Sequence, residues 1–467
     1  MRIKNNLKKN NKQLFEYIII GNSAAGLAAA ESIRELDGAG KLMVLTEEGC
    51  LNYSKPIITY FLAGIVGLDR IYFKDEKFYR DNKVDIRLNT RVKSIDTDKM
   101  FLISDDGSKY KFRKLLIASG GKPIIPEIKS VSTGTLKSGK NKKDRSFNFI
   151  NGKNYNKVGG IFTLTTLEDA IRIKNYIEKN GIKKISILGG GLIGLKAAEA
   201  FLEIGIDVNI IELADRILSA TFDRQASSII EKRIKSRGSN IYRNNTIEEI
   251  YIKNGKINGY KLKDNRKMEC SMLIIAIGVS PDTSFIGSGR LEIKRGIVVD
   301  DYMRTSAENI YAAGDVVEGL DILLGKNRNI AIWPLAVRQG TVAGINMAGG
   351  NKKYSGGFFM NSVEILEIPS ISMGLTNIED KEEKGIEVLK DFNPDKNTYK
   401  KVIIRNNRII GVILVGNIER AGIYAGLIRN EIDISGVKEN ISREDFGIIH
   451  LPADYKKHLV VGEGIEV

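Results

Sequence analysis

At 467 residues the chain is long enough for about two to four domains with substantial cores, and 42% hydrophobic and 28% charged content fit an ordinary soluble globular protein. No stretch reaches the roughly 18 uninterrupted apolar residues of a membrane helix, and two cysteines and two histidines leave no material for a disulfide framework or a cysteine- or imidazole-rich metal site. The net charge of +15, carried mostly by lysine, suits an acidic partner such as a small electron carrier; the joint abundance of Lys, Asn and Ile is the simpler source of it, and no nucleic-acid-binding module accompanies it.

Residues 1–14 read as a basic tail. No signal-peptide cleavage pattern follows, so the expected compartment is the cytoplasm, without membrane insertion. Tyr17-Ile18-Ile19-Ile20 is a short β-branched run and predicts a buried strand. Gly21-Asn22-Ser23-Ala24-Ala25-Gly26 then predicts a tight turn, Ala24 to Leu36 a helix that stops at Asp37-Gly38, and Leu42 to Leu45 the next strand. That is a βαβ unit feeding a parallel sheet. Residues 127–160, crowded with Lys, Ser, Gly and Asn, read as an exposed insertion or linker; its lysine-rich run Ser138 to Arg145 is either a docking element or a solvated loop.

The βαβ pattern recurs. Lys184 to Leu188 predicts a strand, Gly189 to Gly194 a turn, Leu195 to Ile204 a helix closed by Gly205, and Val208 to Ile211 a strand. Ile250 to Leu262 and Met272 to Ile277 are expected to be strands. Beyond Lys352, runs such as Val402-Ile403-Ile404 and Ile409 to Leu414, then a helix near Ala421 to Arg429, predict a third, α+β domain.

The second turn carries the stronger motif. Gly189, Gly191 and Gly194 form a complete GxGxxG, with Leu192 and Ile193 between the last two glycines. The first glycine permits the turn, the second admits the pyrophosphate, and the third packs helix on strand. Glu212 ends the next strand, where a carboxylate binds both ribose hydroxyls and repels a 2′-phosphate; NADH is therefore favoured over NADPH, with Arg216 as a nearby softening charge. In the first turn Ser23 replaces the middle glycine, and Glu47 or Glu48 follows the next strand as a candidate ribose ligand. Alone, this turn has a merely structural βα turn as its alternative reading.

It does not stand alone. Lys114-Leu115-Leu116-Ile117-Ala118-Ser119-Gly120 resembles the strand-and-glycine segment that returns a chain to a flavin site, and Asn309 to Asp315, with Gly314-Asp315, resembles the segment whose aspartate binds the ribityl chain. Ile277-Gly278-Val279-Ser280-Pro281 resembles the exit from an NAD domain, and Trp333 to Gly340 the flavin-side helix. In family order across roughly residues 15–350, these segments resemble the pyridine nucleotide–disulfide oxidoreductase flavoproteins. The resemblance implies an α/β fold with two Rossmann-like domains: FAD-binding at 15–126 and 280–350, NAD-binding at 161–279, and a C-terminal α+β domain at 351–467. It implies FAD at the first turn, NADH at the second, and hydride transfer from nicotinamide to flavin N5.

Disulfide-reducing members place reactive cysteines on the helix after the first βαβ unit. Here that stretch is Tyr53-Ser54-Lys55-Pro56-Ile57-Ile58-Thr59-Tyr60, without cysteine; Cys50 lies just before it and Cys270 far away. It resembles instead the Tyr-x-Arg-Pro motif of the rubredoxin- and ferredoxin-reductase branch and of nitrite reductase flavin modules. Lys55 and Pro56 are thereby implied at the flavin, with Lys55 replacing arginine as a charge toward the reduced flavin but without bidentate geometry. Relatives often carry a lysine where Tyr60 stands, and Glu168 matches the acidic residue expected to face it; Glu168 also reads as a helix N-terminal carboxylate. His450 reads as a turn or packing position. The expected activity is FAD-dependent NADH:acceptor oxidoreduction with a carrier protein, such as rubredoxin, ferredoxin or an iron–sulfur subunit, as acceptor. The alternatives are a thiol-dependent NADH oxidase or coenzyme A–disulfide reductase using Cys50, and the electron-input subunit of a larger complex. Relatives imply a monomer or homodimer.

Overall fold

The computed structural model describes residues 14–132, 149–287, 289–378, 385–443 and 445–451. The tail at 1–13 and the run Ser138 to Arg145 lie outside the described residues. Two compact units emerge. One holds the described residues up to Ser54 together with Leu68–Lys122 and Val279–Phe358; the other holds Lys55–Gly67, the described residues between Pro123 and Gly278, and those from Phe359 onward.

In the first unit the apolar run at Tyr17 lies inside the strand Leu14–Ile20, flanked in parallel by Leu42–Leu45 and Lys109–Ile117. Register pairs Ile20 with Leu45 on one side and with Ile117 on the other. A strand covered on both faces buries every side chain, which is why Ile18, Ile19 and Ile20 read as one continuous apolar run rather than an alternating one. Val84–Arg87 extends the sheet beyond Leu42–Leu45; Phe101–Ser104 and Val92–Asp96 extend it past Lys109–Ile117, and Ile310–Ala312 also pairs Lys109–Ile117. The predicted helix forms as Ala24–Leu36 and packs on the Trp333–Met347 helix. Small residues set that approach: a Cβ on Gly340 would lie 2.2 Å from the Ala25 carbonyl oxygen, and one on Gly344 2.5 Å from that of Ala29. At the helix end, Asp37 accepts from the Ala39 and Gly40 N–H groups and the Tyr17 hydroxyl, which stops the chain where the sequence predicts.

The second unit holds a parallel sheet in the order Ile161–Thr163, Leu273–Ile275, Lys184–Leu188, Asp207–Ile211, Asn240–Tyr242. The stretch expected as one strand, Ile250 to Leu262, is a hairpin of Ile247–Lys253 and Lys256–Leu262. Asn254 and Gly255 reverse it with φ of +53° and +74°, the left-handed pair that suits a two-residue hairpin turn. The second-turn helix begins at Leu192 rather than Leu195 and ends at Glu203.

Two expectations are corrected here. The insertion at 127–160 is not wholly an exposed linker: Ile128–Ser132 runs parallel to Ile247–Lys253 and antiparallel to Phe149–Ile150, burying Ile128 and Ile150. The segment 55–67 groups with the second unit instead of the first, because its helix Ile58–Leu62 packs on the helices Leu167–Asn180 and Leu192–Glu203. The C-terminal region forms the expected α+β layer, an antiparallel sheet in the order Met360–Ile365, Ile368–Gly374, Arg408–Val415, Thr398–Arg405, Ile386–Asn393, with the Ala421–Arg429 helix against it. It belongs to the same unit as the parallel sheet that holds Lys184–Leu188.

Candidate dinucleotide sites

Gly189 leaves the strand Lys184–Leu188 at φ +116°, and its N–H bonds the Ile211 carbonyl at 2.8 Å. A Cβ there would stand 2.3 Å from the Ala276 carbonyl oxygen, and one on Gly194 2.0 Å from that of Gly189. A Cβ on Gly191 would meet nothing within 4 Å. The outer glycines are thus demanded by the protein's own backbone, whereas at Gly191 the space is open, as a backbone approach to a pyrophosphate would need. The helix Leu192–Glu203 starts with no side-chain cap and no acidic residue in its first turn. Its neighbours differ: Thr166 caps Leu167–Asn180 by accepting the Asp169 N–H, and Asp223 caps Arg224–Ser236 by accepting that of Ala226. Uncapped N–H groups and the positive helix end remain for an anion.

The Glu212 carboxylate is folded over this turn, accepting the Gly190 N–H at 2.6 Å and the Ala214 N–H at 2.7 Å. It therefore sits against the glycine turn, the place a ribose-binding carboxylate would occupy. Gly278, at φ +118°, accepts the Ile124 N–H where the chain leaves this sheet.

The first turn repeats the construction. Gly21, at φ +109°, would place a Cβ 2.1 Å from the Ala118 carbonyl oxygen, and Gly26 one 2.0 Å from that of Gly21. Ser23 is the N-cap of Ala24–Leu36 but makes no side-chain capping bond, and that first turn also carries no acid. Asn22 is buried; its Oδ1 accepts the Tyr79 hydroxyl at 2.8 Å while its Nδ2 has no partner. A buried, unpaired amide in a phosphate-type turn is a donor set for a phosphate. The residues fit a dinucleotide.

The distant segments close around that turn. The Ala118 N–H bonds the Ile20 carbonyl at 2.8 Å, so the return strand ends against Gly21. Ser119 donates its hydroxyl to the Asp282 carbonyl at 2.8 Å, and the Asp282 N–H bonds the Gly120 carbonyl at 2.9 Å. Lys122 stands 2.6 Å from the Asp282 carboxylate. Burial works against ionisation of Asp282, yet hydrogen bonds from Lys122 and Ser284 hold its carboxyl below the ordinary range. Gly314, at φ +83°, gives its N–H to Gln339, and a Cβ on it would lie 3.1 Å from that of Ala25. Half-buried Asp315 follows, its carbonyl accepting Asn329 Nδ2 at 2.7 Å. Trp333 opens the Trp333–Met347 helix with its ring edge-on to Phe73, centroids 6.3 Å apart. Ser23, Ala24, Ala25, Ala118, Ser119, Gly120, Gly314, Asp315 and Trp333 thus share one unit. Glu47 is exposed and 3.6 Å from Arg91, whereas Glu48 accepts the Tyr53 hydroxyl at 2.6 Å; both stay candidates for the ribose.

Lys55 and Pro56 form the one-turn 3-10 helix Lys55–Ile57, with Lys55 half-buried. Glu168 occupies the exposed side of the first turn of Leu167–Asn180. The charge set over Tyr60 is Lys196, which the sequence reading missed; its Nζ lies 4.8 Å from the ring centroid. No pattern within either segment carries that pairing, since it arises from helix packing. Cys270 is buried, donates to the Met272 carbonyl, and burial pushes its thiol up to about 11. Cys50 is half-buried and not disulfide-bonded. His450 accepts the Gly447 N–H at Nδ1 and stacks on Phe446, which is the expected turn role. Among the described residues no helix is long and apolar enough to cross a membrane, and no group of three or more His, Cys, Asp or Glu is placed to hold a metal.

Residues 15–340 match the family model described as pyridine nucleotide-disulphide oxidoreductase, and residues 360–432 that of the rubredoxin NAD+ reductase C-terminal domain. The chain is 29% identical to the NADH-dependent phenylglyoxylate dehydrogenase subunit epsilon of Aromatoleum evansii, over 91% of this chain and 93% of that one. It is 32% identical to an NADH oxidase of Methanocaldococcus jannaschii, covering 72% of this chain and 71% of the relative. Among solved structures, NADH:rubredoxin oxidoreductase from Clostridium acetobutylicum superposes with a TM-score of 0.70 at 25% identity, covering 93% of this chain and 98% of that one.

Proposed function

The chain belongs to the pyridine nucleotide–disulphide oxidoreductase family, and on that premise we propose that it oxidises NADH through bound FAD and hands the electrons to a carrier protein. The observation that carries this reading is the duplicated turn. Gly21 and Gly189 leave their strands at nearly the same φ, Gly26 and Gly194 make the same close approach to the first glycine, and both helices start uncapped. Two such cradles in separate units fit two dinucleotides, one retained and one exchanged.

Bound FAD supplies the conversion of a hydride, received from NADH at N5, into electrons that leave singly. The chain's own residues bind and orient. Asn22 and Ser23 offer an amide and a hydroxyl to the FAD phosphates, and Asp315 follows the tight Gly314 approach as a ribityl ligand. Gly191 and the N–H groups after it take the NADH pyrophosphate, and Glu212 takes the ribose. Lys55, implied at the flavin by its motif, is the candidate for positive charge there, and Glu168 is the weaker of these two candidates because its side chain is exposed. The segment Tyr53 to Tyr60 has no cysteine, so electrons leave without a thiol relay. The C-terminal match supports rubredoxin or a like iron–sulfur protein as acceptor, in keeping with a basic chain and an acidic carrier.

The test is anaerobic NADH oxidation against rubredoxin, ferredoxin, quinone, oxygen and coenzyme A disulfide. A carrier protein should support the highest turnover, and Cys50→Ser should retain it; loss of turnover in Cys50→Ser would return the thiol-dependent reading. A second reading, the electron-input subunit of a larger complex, is favoured by the 29% identity to a dehydrogenase subunit across 91% of the chain. It requires that FAD-loaded protein bleach with NADH yet turn over poorly until an iron–sulfur partner is added.

A further inference from the structure

Between Glu212 and Arg224 the chain has one cation, Arg216. It lies four residues beyond the carboxylate that faces the ribose, the place from which a guanidinium would reach a ribose 2′-phosphate. In the structure all three of its nitrogens are engaged elsewhere. Nη1 donates to Asp215 Oδ1 at 3.0 Å, Nε to the Phe222 carbonyl at 3.3 Å, and Nη2 to the Ser219 carbonyl at 3.3 Å and to Asn377 Oδ1 at 3.2 Å. Asn377 belongs to the C-terminal region, and its Nδ2 also donates to the Ser219 carbonyl at 2.9 Å.

Asn377 is one of several holds on the same loop. Its neighbour Thr376 donates its hydroxyl to the Thr221 carbonyl at 2.9 Å. Asp223, which caps the following helix, accepts the Tyr399 hydroxyl at 2.7 Å and stands 3.3 Å from the fully buried ammonium of Lys401. Lys401 in turn donates to the Thr376 carbonyl at 3.2 Å. Residues 213–223 are therefore fastened to the C-terminal layer near the middle and at the far end, while Glu212 fixes the near end to the glycine turn.

We infer that the C-terminal layer sets nucleotide selectivity: Asn377, with Asp215, holds Arg216 away from the ribose 2′ position, so that the chain rejects NADPH. The physical argument is one of charge. A 2′-phosphate brings about two negative charges to a site where Glu212 already places one. Its acceptance needs a charge-assisted partner. Arg216 becomes that partner only by surrendering bonds to a carboxylate, an amide and two carbonyls, and the ribose hydroxyls of NADH ask for no such exchange. Asn377 acts through Arg216 and is a positioning residue. The inference rests on reading the Gly189 turn as the NADH site.

The experiment is calorimetric titration of the FAD-loaded protein with ADP-ribose and with 2′-phospho-ADP-ribose, for wild type, Asn377→Ala, the Asp215→Asn/Asn377→Ala pair, and the same pair carrying Arg216→Ala. Wild type should prefer ADP-ribose. The pair should narrow that preference about tenfold, the scale of a hydrogen bond to a charged group, with ADP-ribose affinity held within about twofold because Glu212 and the turn are untouched. Removal of Arg216 should restore the preference. A preference unchanged in the pair, or narrowed equally without Arg216, overturns the inference; equal weakening of both ligands does the same, since that is loop loosening alone. Wild type that binds neither ligand overturns the assignment of the Gly189 turn itself.

Discussion

Lys196 holds its ammonium 4.8 Å from the centre of the Tyr60 ring. The two come from helices more than a hundred residues apart, brought together where Ile58–Leu62 packs on Leu192–Glu203. Lys196 also pairs with Glu199 and donates to the Glu364 carbonyl at 3.0 Å, while Glu199 accepts the Leu366 N–H at 2.6 Å. Tyr60, Lys196 and the C-terminal strand thus form one continuous contact. Lys196→Ala removes the cation–π contact and leaves the Glu199 carboxylate with less compensation at 15% side-chain exposure. A loss of about 1–2 kcal/mol is expected, read as a lower thermal midpoint; Tyr60→Phe, which keeps the ring, should change it little.

Gly191 and Gly189 separate ligand space from backbone need. Gly191→Ala adds a Cβ into open space, so the fold should hold its thermal midpoint while NADH affinity falls about tenfold or more. Gly189→Ala forces a Cβ against the Ala276 carbonyl at an already left-handed φ, and should lower the midpoint as well. Calorimetry together with NADH titration distinguishes the two variants.

The buried Lys401 should be costly to lose. Its side chain is fully inaccessible and that of Asp223 only 6% exposed. Lys401→Ala strands the carboxylate with the Tyr399 hydroxyl and the Ala226 N–H, at a cost of about 3 kcal/mol in denaturant unfolding. Lys401→Ala combined with Asp223→Asn should recover part of that loss, since the buried charge is then gone.

The two cysteines should differ in reactivity. Burial raises the Cys270 thiol to about 11, so at pH 8 only about one molecule in a thousand carries its thiolate. A disulfide reagent should titrate Cys50 alone in the folded protein and both thiols in denaturant. Rapid labelling of Cys270 in the native state would contradict the burial.

The Lys122–Asp282 pair gives a pH dependence of known sign. The folded Asp282 carboxyl titrates below its unfolded value, so the stabilisation is present above about pH 5, where the unfolded carboxylate is also ionised. It is lost as the pH falls through the lowered folded value. Asp282→Asn should therefore be less stable than wild type by about 1 kcal/mol at neutral pH, and in paired unfolding curves that difference should shrink as the pH falls through the lowered folded value.

What the sequence carried is visible element by element. Leu42–Leu45, Lys184–Leu188, Ala24–Leu36 and Ala421–Arg429 form where expected, because apolar runs and glycine stops are local signals. The hairpin at Asn254-Gly255 was written locally too, but two flanking strand-like runs hid it inside one expected strand. Ile128–Ser132 was obscured by its Lys/Ser-rich surroundings, since its pairing with Ile247–Lys253 lies more than a hundred residues away. The site divides in the same way. Gly189, Gly191 and Glu212 declare themselves by spacing, whereas Lys196 over Tyr60 and Asn377 on Arg216 depend on which surfaces pack.

The central claim, that NADH bound at the Gly189 turn reduces FAD held at the Gly21 turn, is tested most directly by anaerobic stopped-flow mixing of NADH with the FAD-loaded protein. The flavin absorbance should bleach in a single turnover at least as fast as steady-state carrier reduction, and Gly191→Ala should slow that bleaching at subsaturating NADH. Flavin that stays oxidised after mixing with NADH would contradict the account.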